Sequence, residues 1–397
     1  MSITPFTKQQ LLPQEETLEV ARQRGDLFIG LPKETSYQER RICLTPDAVS
    51  SLVAHGHRVL MESGAGLTAS YTDKEYSDAG ADITHDTKKV FGCPIILKVE
   101  PPTVQEIEMM NHETLLISAI QLKTQKKEYF QALENRRITA LAFEFVKDID
   151  GSYPAVKSLS EIAGTASILI AAELMISQKL GKGLLFGNIT GVPPTEVVIL
   201  GAGTAAEFAA KAAIGLGASV KVFDNSINKL RRLQNNLNQR IFTSTIQEKA
   251  VLKALMRCDV AIGAMRGKDR TPIVVSETMV ERMKRGAVII DVCIDTGGCF
   301  ETSEVTTHEK PTFVKHNVTH YCVPNIPSRY SKTASLSISN IISPFLLQMA
   351  DDGGIESAIR CNAGLKHGIY FYHGRLTSRS IAEWFTLDYT DINLIAF

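Results

Sequence analysis

Apolar residues in this chain fall into short continuous runs and longer segments with helical spacing, and the two alternate from Leu27 onward. The short runs predict strands buried on both faces, and the helical spacing predicts helices packed against them. After a first strand that begins at Leu27, the predicted strands cover residues 57–62, 94–99, 115–120, 138–143, 197–200, 219–224, 259–264 and 287–292. Regular alternation of strand and helix predicts an α/β fold.

A glycine motif follows the predicted strand at 197–200. Gly201 and Gly203 come directly after the strand, and a helical pattern begins at Ala205, just after Thr204. In a dinucleotide-binding crossover the first glycine permits a tight turn and the second lets a pyrophosphate approach the backbone. The free N–H groups at the start of the helix then face that pyrophosphate. These four residues are therefore predicted to bind a cofactor.

Asp224 ends the next predicted strand, about 20 residues beyond the glycines. A carboxylate in this place accepts hydrogen bonds from the adenosine ribose hydroxyls and repels a 2′-phosphate, so the motif predicts NAD as the cofactor. Two alternatives stay open. Asp224 could serve only to cap the turn that follows it. The basic residues Lys229, Arg231 and Arg232 leave NADP as the other cofactor to consider.

Two helical segments divide the chain around this motif. One runs from Ser158 to about Lys179 and is predicted to link two domains. The other starts near Thr333, has the spacing of a core helix and is expected to complete the first domain. The predicted parts are an N-terminal arm (1–26), the first part of a substrate domain (27–155), an NAD-binding domain (156–332) and the C-terminal part of the substrate domain (333–397).

The overall composition argues against several functional classes. The 397 residues include 43 basic and 43 acidic side chains, so the charge gives no support for a nucleic-acid or membrane partner. The seven cysteines never occur in CxxC spacing, which favours reduced thiols in a cytoplasm. The most apolar later stretch, 162–172, is too short for a membrane span, and residues 1–24 lack the apolar segment of a secretory signal. We therefore expect a soluble cytoplasmic protein.

Several unrelated motifs resemble those of alanine dehydrogenases and the related nicotinamide nucleotide transhydrogenases. They occur in the family's order: LPKE at 31–34, ERR at 39–41, LTP at 44–46, GAG at 64–66, LKV at 97–99, SEIAG at 160–164, VCIDTGGCFE at 292–301 and NIPS at 325–328. The segment 148–154 is more similar to the dehydrogenase branch. The resemblance implies two Rossmann-like, doubly wound domains with parallel sheets, separated by a cleft and joined by long helices. It also implies a homo-oligomer, either a hexamer or a dimer.

The resemblance further implies roles for individual residues. Arg41 matches the arginine that holds the substrate carboxylate, and a guanidinium fork suits that planar group. Asp295 matches the active-site aspartate near the nicotinamide and the substrate amine. Ser160, Asn325 and Ile326 match positions that contact the cofactor.

Two positions depart from the family pattern. The catalytic lysine of alanine dehydrogenases is the second lysine of KVKEP, and Glu100 falls there in the KVEPP of this chain. Their active-site histidine lies in an LHL context, and the matching residue here is Gln121. A glutamine can hydrogen-bond a carbonyl or carboxylate but cannot accept a proton. Lys98 or Lys123 could supply the missing cation, unless either is simply a solvated lysine.

The hypothesis is an NAD-dependent, alanine dehydrogenase-like oxidoreductase that interconverts an L-amino acid and its 2-oxo acid. Its candidate catalytic residues are Arg41, Lys98, Gln121 and Asp295. Two alternatives stay open: an enzyme that reduces a different imine or oxo acid, and a non-catalytic NAD-binding protein. No metal is predicted, because the HNVTH run at 316–320 has no third ligand patterned around it.

Overall fold

A computed structural model describes residues 25–36, 38–176, 181–267 and 270–395. The predicted arm lies almost entirely outside these residues. Strands and helices alternate through the first part of the chain: β1 (Phe28–Leu31), α1 (Pro46–Ala54), β2 (Arg58–Glu62), α2 (Asp73–Asp78), β3 (Asp82–Thr84), α3 (Thr87–Phe91), β4 (Ile95–Leu97), α4 (Val104–Met109), β5 (Leu115–Ser118), α5 (Lys127–Asn135) and β6 (Thr139–Ala142).

A long helix, α6 (Pro154–Ile176), leads into a second alternating series. Its members are β7 (Glu196–Leu200), α7 (Thr204–Gly215), β8 (Ser219–Phe223), α8 (Ile227–Leu237), β9 (Phe242–Ser244), α9 (Glu248–Leu255), β10 (Val260–Gly263), α10 (Glu277–Glu281), β11 (Val288–Asp291), β12 (Thr312–Lys315) and β13 (Val318–Tyr321). The chain ends with α11 (Ile326–Arg329), α12 (Ser331–Asp351), α13 (Ile355–Cys361), α14 (Ala363–Gly368), β14 (Ile369–Tyr372), β15 (Arg375–Leu376) and α15 (Arg379–Phe385).

These strands form two sheets, as expected for a fold with two Rossmann-like domains. The first has the order β15-β14-β6-β5-β4-β1-β2-β3 and takes strands from both ends of the chain. The second has the order β12-β13-β11-β10-β7-β8-β9. Each contains six strands in the doubly wound order 3-2-1-4-5-6. In each sheet the strand order reverses about the central strand, so the switch point that opens a binding crevice lies between β1 and β4 in the first sheet and between β7 and β10 in the second.

Both sheets differ from the purely parallel prediction at one edge. The strand pairs β12–β13 and β14–β15 are antiparallel, and β14 also pairs antiparallel with β6. The reason is local, because two residues with positive φ join each pair: His316 and Asn317 in the first, His373 and Gly374 in the second. Such a two-residue turn makes a hairpin, whereas parallel neighbours need a long crossover.

Helix α6 packs closely against α7. It starts at Pro154, four residues before the predicted start, because proline suits the first turn of a helix. A Cβ atom added at Gly164 would lie 2.2 Å from the carbonyl oxygen of Ala205, so only glycine permits this approach. By length and composition α6 is the one described helix that could cross a membrane. Many of its apolar side chains are buried against α7 and the second sheet, as in the core helix of a globular protein.

Candidate active site

The glycine turn after β7 fits a dinucleotide pyrophosphate. Gly201 has a φ of 110°, and a Cβ atom there would meet the carbonyl oxygen of Ala264 at 2.4 Å. Gly203 precedes α7 without any side-chain cap, and a Cβ atom there would have no neighbour within 4 Å. The helix that starts at Thr204 and Ala205 therefore presents its first N–H groups beside open space, where an anionic group is stabilised.

Asp224 borders a cavity of about 410 Å³ next to this turn. One carboxylate oxygen accepts a hydrogen bond from the Ala202 N–H at 2.8 Å, and the other accepts one from the Ser226 N–H at 2.7 Å. Asp224 therefore caps its turn, yet each oxygen keeps a lone pair for a ribose hydroxyl. The two interpretations of Asp224 are compatible.

The three basic residues that made NADP an alternative cofactor lie in different positions. Lys229 lines the cavity beside Asp224. Arg231 lies 3.5 Å from the Asn228 side-chain oxygen, and Arg232 lies 3.5 Å from the Ala202 carbonyl oxygen. An aspartate at the ribose position remains the argument for NAD over NADP.

In the first domain, Arg41 is buried and its guanidinium forms a two-pronged ion pair, or fork, with the Glu39 carboxylate. Its Nε and Nη2 donate to the two carboxylate oxygens at 2.7 Å and 2.6 Å, which leaves Nη1 outside the pair. Burial opposes ionisation of Glu39, but Arg41 and its hydrogen bonds hold the pKa of this carboxyl below its usual value. A guanidinium held at two corners has one remaining edge on which to bind a further carboxylate.

Asn325 connects this pair to Asp295. It has a φ of 56°, and its side-chain amide donates to Glu39 at 3.0 Å. Its backbone N–H faces the Asp295 carboxylate and stabilises the charged form. Asp295 is exposed to the cleft, yet the surrounding protein desolvates it and raises its pKa to about 6, against the opposing effects of Asn325, Lys123 and Arg41. The structure thus brings Arg41 and Asp295, predicted separately, into one network.

Lys98 occupies a buried carboxylate cluster. Its ammonium lies 3.1 Å from Glu106 and 3.5 Å from Glu34, and its side chain is 1% exposed. Burial raises the pKa of Glu34 to about 7, although Lys98 opposes this shift. The solvated-lysine interpretation is therefore wrong for Lys98, because the folded chain encloses it. Direct contact with a substrate stays a prediction. Lys123, in contrast, is exposed.

Glu100 and Gln121 lie close to each other. Glu100 is half-buried, and the side chains of Gln121 and Ser36 oppose the rise that burial causes in its pKa. Gln121 has a φ of 45°, and its backbone N–H donates to Glu144 at 3.3 Å. Both oxygens of Glu144 accept from the Ile120 N–H at 3.2 Å, while burial raises the pKa of Glu144 to about 7. A carboxylate–amide pair thus occupies the positions that carry lysine and histidine in alanine dehydrogenases.

The remaining predicted cofactor contacts lie near the crossover helices. Ser160 uses its hydroxyl to donate to the Val156 carbonyl oxygen at 2.7 Å, within α6. Ile326 is buried at the start of α11 and packs in the core of the second domain. Neither observation tests contact with a cofactor, which stays a prediction for both residues.

The histidines of the HNVTH run are engaged separately. His316 bonds Glu277 at 2.7 Å, and His320 bonds Thr302 at 2.8 Å. Among the described residues, Asp291, Cys293 and Cys299 form one group whose spacing could suit a metal. The Asp291 oxygens already accept bonds from the N–H groups of both cysteines and from the Ser303 hydroxyl. These bonds give Asp291 a structural role in shaping the loop that carries Asp295.

Comparison with known families agrees with this geometry over most of the chain. Residues 30–163 match the model of the alanine dehydrogenase/PNT N-terminal domain. Residues 167–379 match the model of the alanine dehydrogenase/PNT C-terminal domain. The chain belongs to the alanine dehydrogenase/PNT family.

Individual relatives are similar along nearly their whole length. An alanine dehydrogenase of Staphylococcus haemolyticus is 36% identical over 366 residues, which cover 92% of this chain and 98% of the relative. Alanine dehydrogenase 2 of Staphylococcus aureus (strain USA300) gives the same identity and coverage. A solved L-alanine dehydrogenase matches with a TM-score of 0.85 at 34% identity, covering 91% of this chain and 99% of that one. A transhydrogenase of Sinorhizobium meliloti, at 23% identity and a TM-score of 0.75, shares the fold.

The structure adds site residues that the sequence did not single out. Glu39 holds Arg41, Glu144 holds the Gln121 loop, and Glu34 and Glu106 enclose Lys98. Glu39 offered one usable signal, because it stands two positions before Arg41 in the ERR motif. Glu34 and Glu144 follow the strands β1 and β6, and Glu106 lies on helix α4, so no local pattern pointed to their roles.

Proposed function

We propose that this family member is an NAD-dependent amino-acid dehydrogenase that converts L-alanine, NAD and water to pyruvate, ammonia and NADH. The observation that carries the proposal is that Asn325 donates a hydrogen bond to the Glu39–Arg41 fork while its backbone N–H faces Asp295 and lowers the pKa of that carboxyl. A guanidinium edge and a carboxylate held together in this way can bind the carboxylate and the amine of one amino acid.

Separate groups of residues would bind the cofactor and orient the substrate. The turn at Gly201 and Gly203 would hold the pyrophosphate of NAD, and Asp224 would accept bonds from its adenosine ribose. NAD, when bound, supplies the hydride acceptor for the substrate Cα. Arg41 would bind the substrate carboxylate through Nη1, and Asp295 would hold the amine as the cleft excludes water.

A second candidate function rests on the Glu100–Gln121 pair. The alanine dehydrogenase pattern presents a lysine and a histidine to the substrate, whereas this pair presents a carboxylate and an amide. The different polar lining favours an enzyme that keeps the cofactor but reduces another imine or 2-oxo acid. A family member that binds NAD without catalysis is the remaining alternative.

One set of assays separates these functions. NADH oxidation is followed with pyruvate plus ammonium, and then with a panel of other 2-oxo acids and amines. Turnover with pyruvate is expected under the main proposal. Turnover only with another substrate supports the second candidate, and NADH binding without any turnover supports the non-catalytic member.

Arg41→Met provides the matched test of the substrate site. It should raise the KM for the oxo acid at least about 100-fold, because a charged bidentate contact is lost. Retained NADH binding shows that the variant folds. Arg58→Met is the control, because Arg58 is an exposed arginine of the same domain. An unchanged KM in Arg41→Met removes this residue from substrate binding.

We further propose a small carboxylate as the substrate class, a homo-oligomeric assembly (a hexamer or a dimer) and a cytoplasmic location, without nucleic-acid or membrane partners. The seven cysteines are free, which supports a reducing compartment. Light scattering coupled to gel filtration measures the assembly, and a monomer at assay concentrations contradicts that part of the proposal.

A further inference from the structure

The cavity of about 410 Å³ next to the glycine turn is lined by charged side chains of both signs. They are Asp224, Lys229 and Arg266. Because one is an acid and two are bases, the charged part of the lining is net positive. The cavity that would hold the adenosine ribose is therefore suited to an anionic group as well as to a hydroxyl.

Asp224 is the least accessible of these three charges. It is 9% exposed, and its two oxygens accept hydrogen bonds from the N–H groups of Ala202 and Ser226 at 2.8 Å and 2.7 Å. The partial positive charge of these backbone groups offsets part of the carboxylate charge. Asp224 therefore repels a neighbouring phosphate less than a free carboxylate would.

Lys229 and Arg266 are exposed and belong to two different elements. Lys229 lies in the first turn of α8, and Arg266 lies on the loop after β10. Neither side chain makes a hydrogen bond or an ion pair with another residue in the part of the chain that the structure describes. A guanidinium binds a phosphate through two parallel hydrogen bonds, and an ammonium binds it as a point charge. Two unpaired cations on the wall of one cavity favour an anionic ligand.

The location of Lys229 distinguishes a ribose phosphate from the pyrophosphate. In a dinucleotide-binding fold the pyrophosphate lies at the start of the helix after the glycine turn, here α7, and the acid that ends the next strand binds the ribose 2′-hydroxyl. Lys229 is on the helix after that strand and lines the cavity together with Asp224. A phosphate on the 2′ oxygen would therefore lie near Lys229, whereas the pyrophosphate would lie at Gly203.

We propose that this cavity also accepts the 2′-phosphate of NADPH, held by Lys229 and Arg266, so that the enzyme uses NADPH as a second coenzyme beside NADH. This inference rests on the proposed function and deepens it by naming a further coenzyme of the same site. A phosphate group with a charge of about −1.5 to −2 meets two cations there, which offset the repulsion from Asp224. Because Asp224 still binds a free ribose hydroxyl, we expect NADH to remain the better coenzyme.

The first test compares two fragments that differ only in the 2′-phosphate. Titration calorimetry measures the Kd of ADP-ribose and of ADP-ribose 2′-phosphate on the wild-type protein. The phosphorylated fragment should bind no more than about tenfold more weakly than ADP-ribose. Weaker binding than this means that Asp224 excludes the phosphate, and the inference is then wrong. Failure of both fragments to bind overturns the inference and the coenzyme site together.

The second test follows the oxidation of NADH and of NADPH with pyruvate plus ammonium in wild type, Lys229→Met and Arg266→Met. Wild type should oxidise both coenzymes. Each variant should raise KM for NADPH at least about tenfold more than KM for NADH, because a charged contact with the phosphate is lost. Retained binding of ADP-ribose shows that the variants fold. Lys249→Met is the matched control, because Lys249 is an exposed lysine on α9 of the same domain, outside the cavity.

The results separate this inference from the proposed function. If wild type oxidises NADH but not NADPH, or if neither variant raises KM for NADPH more than KM for NADH, the inference is wrong while the proposed dehydrogenase stands. If wild type turns over no oxo acid with ammonium and either coenzyme, the proposed reaction fails. The use of NADPH as a coenzyme fails with it, even where the fragment titrations show a site for the 2′-phosphate.

Discussion

Loss of the Glu39–Arg41 fork should lower both the free energy of unfolding and the affinity for the substrate. Both side chains are almost fully buried, at 3% and 5% exposure, and they share two hydrogen bonds shorter than 2.8 Å. Glu39 also accepts bonds from the Arg40 and Arg41 N–H groups and from Asn325. Glu39→Gln removes this negative charge and leaves the buried Arg41 without its hydrogen-bonded counter-ion.

Removing one partner of a buried ion pair costs about 3–5 kcal/mol of unfolding free energy. We expect about 3 kcal/mol for Glu39→Gln, the lower end, because the amide oxygen still accepts some of the bonds. Denaturant unfolding can be followed through the single tryptophan, Trp384, which lies on α15 at the edge of the first domain. KM for the oxo acid should rise in the same variant, because the guanidinium loses its support.

The double variant Glu39→Gln/Arg41→Met tests the reasoning, since it leaves no unpaired charge. It should be more stable than Glu39→Gln alone by about 1 kcal/mol or more. Asp82→Asn is the control, because the Arg58–Asp82 pair is 3.6 Å long and about two-thirds exposed on both sides. Its cost should be about 0–1 kcal/mol. The electrostatic account is refuted if Glu39→Gln lowers the unfolding free energy by less than about 1 kcal/mol, or if the double variant is less stable than Glu39→Gln.

Three other predictions test other parts of the molecule. Asp224→Gly should weaken NADH binding at least about tenfold and narrow the preference over NADPH, measured by fluorescence titration; equal affinities refute the ribose assignment. Gly164→Ala should destabilise the second domain by about 1–3 kcal/mol through its clash with Ala205, whereas Gly215→Ala, with open space around it, should not. Lys98→Met should cost more stability at pH 8 than at pH 5, because Glu34, with a pKa of about 7, then carries the charge that Lys98 stabilises. A pH-independent cost contradicts the charge pairing of Lys98.

The order of strands and helices was predictable because both sheets are built from buried parallel strands. Such strands read as continuous apolar runs, and the predicted runs from 57–62 to 287–292 contain β2, β4 to β6, β8, β10 and β11, and all of β7 except its first residue, Glu196. The short strands β3 and β9 were not predicted, since three residues give no periodicity. The two hairpins at the sheet edges were not predicted either, because their turns use His-Asn and His-Gly in place of the common Asn-Gly.

In the candidate site, too, the features built by neighbouring residues were predictable and those built by residues distant in sequence were not. The glycine turn and Asp224 were predictable because consecutive residues build them and the backbone decides their geometry. The carboxylates around Arg41 and Lys98 were not, because residues as far apart as 34 and 106 or 39 and 325 meet only after the sheets form. Resemblance supplied Arg41 and Asp295, but only the folded chain shows that Asn325 joins them.

Asn325 also explains how cofactor binding and substrate binding could depend on each other. Its left-handed backbone points the N–H to Asp295, on the loop after β11, while its side chain reaches Glu39 in the other domain. A shift of this residue must therefore disturb the aspartate and the support of Arg41 together. Variants of Asn325 and Glu39 should therefore change substrate binding first.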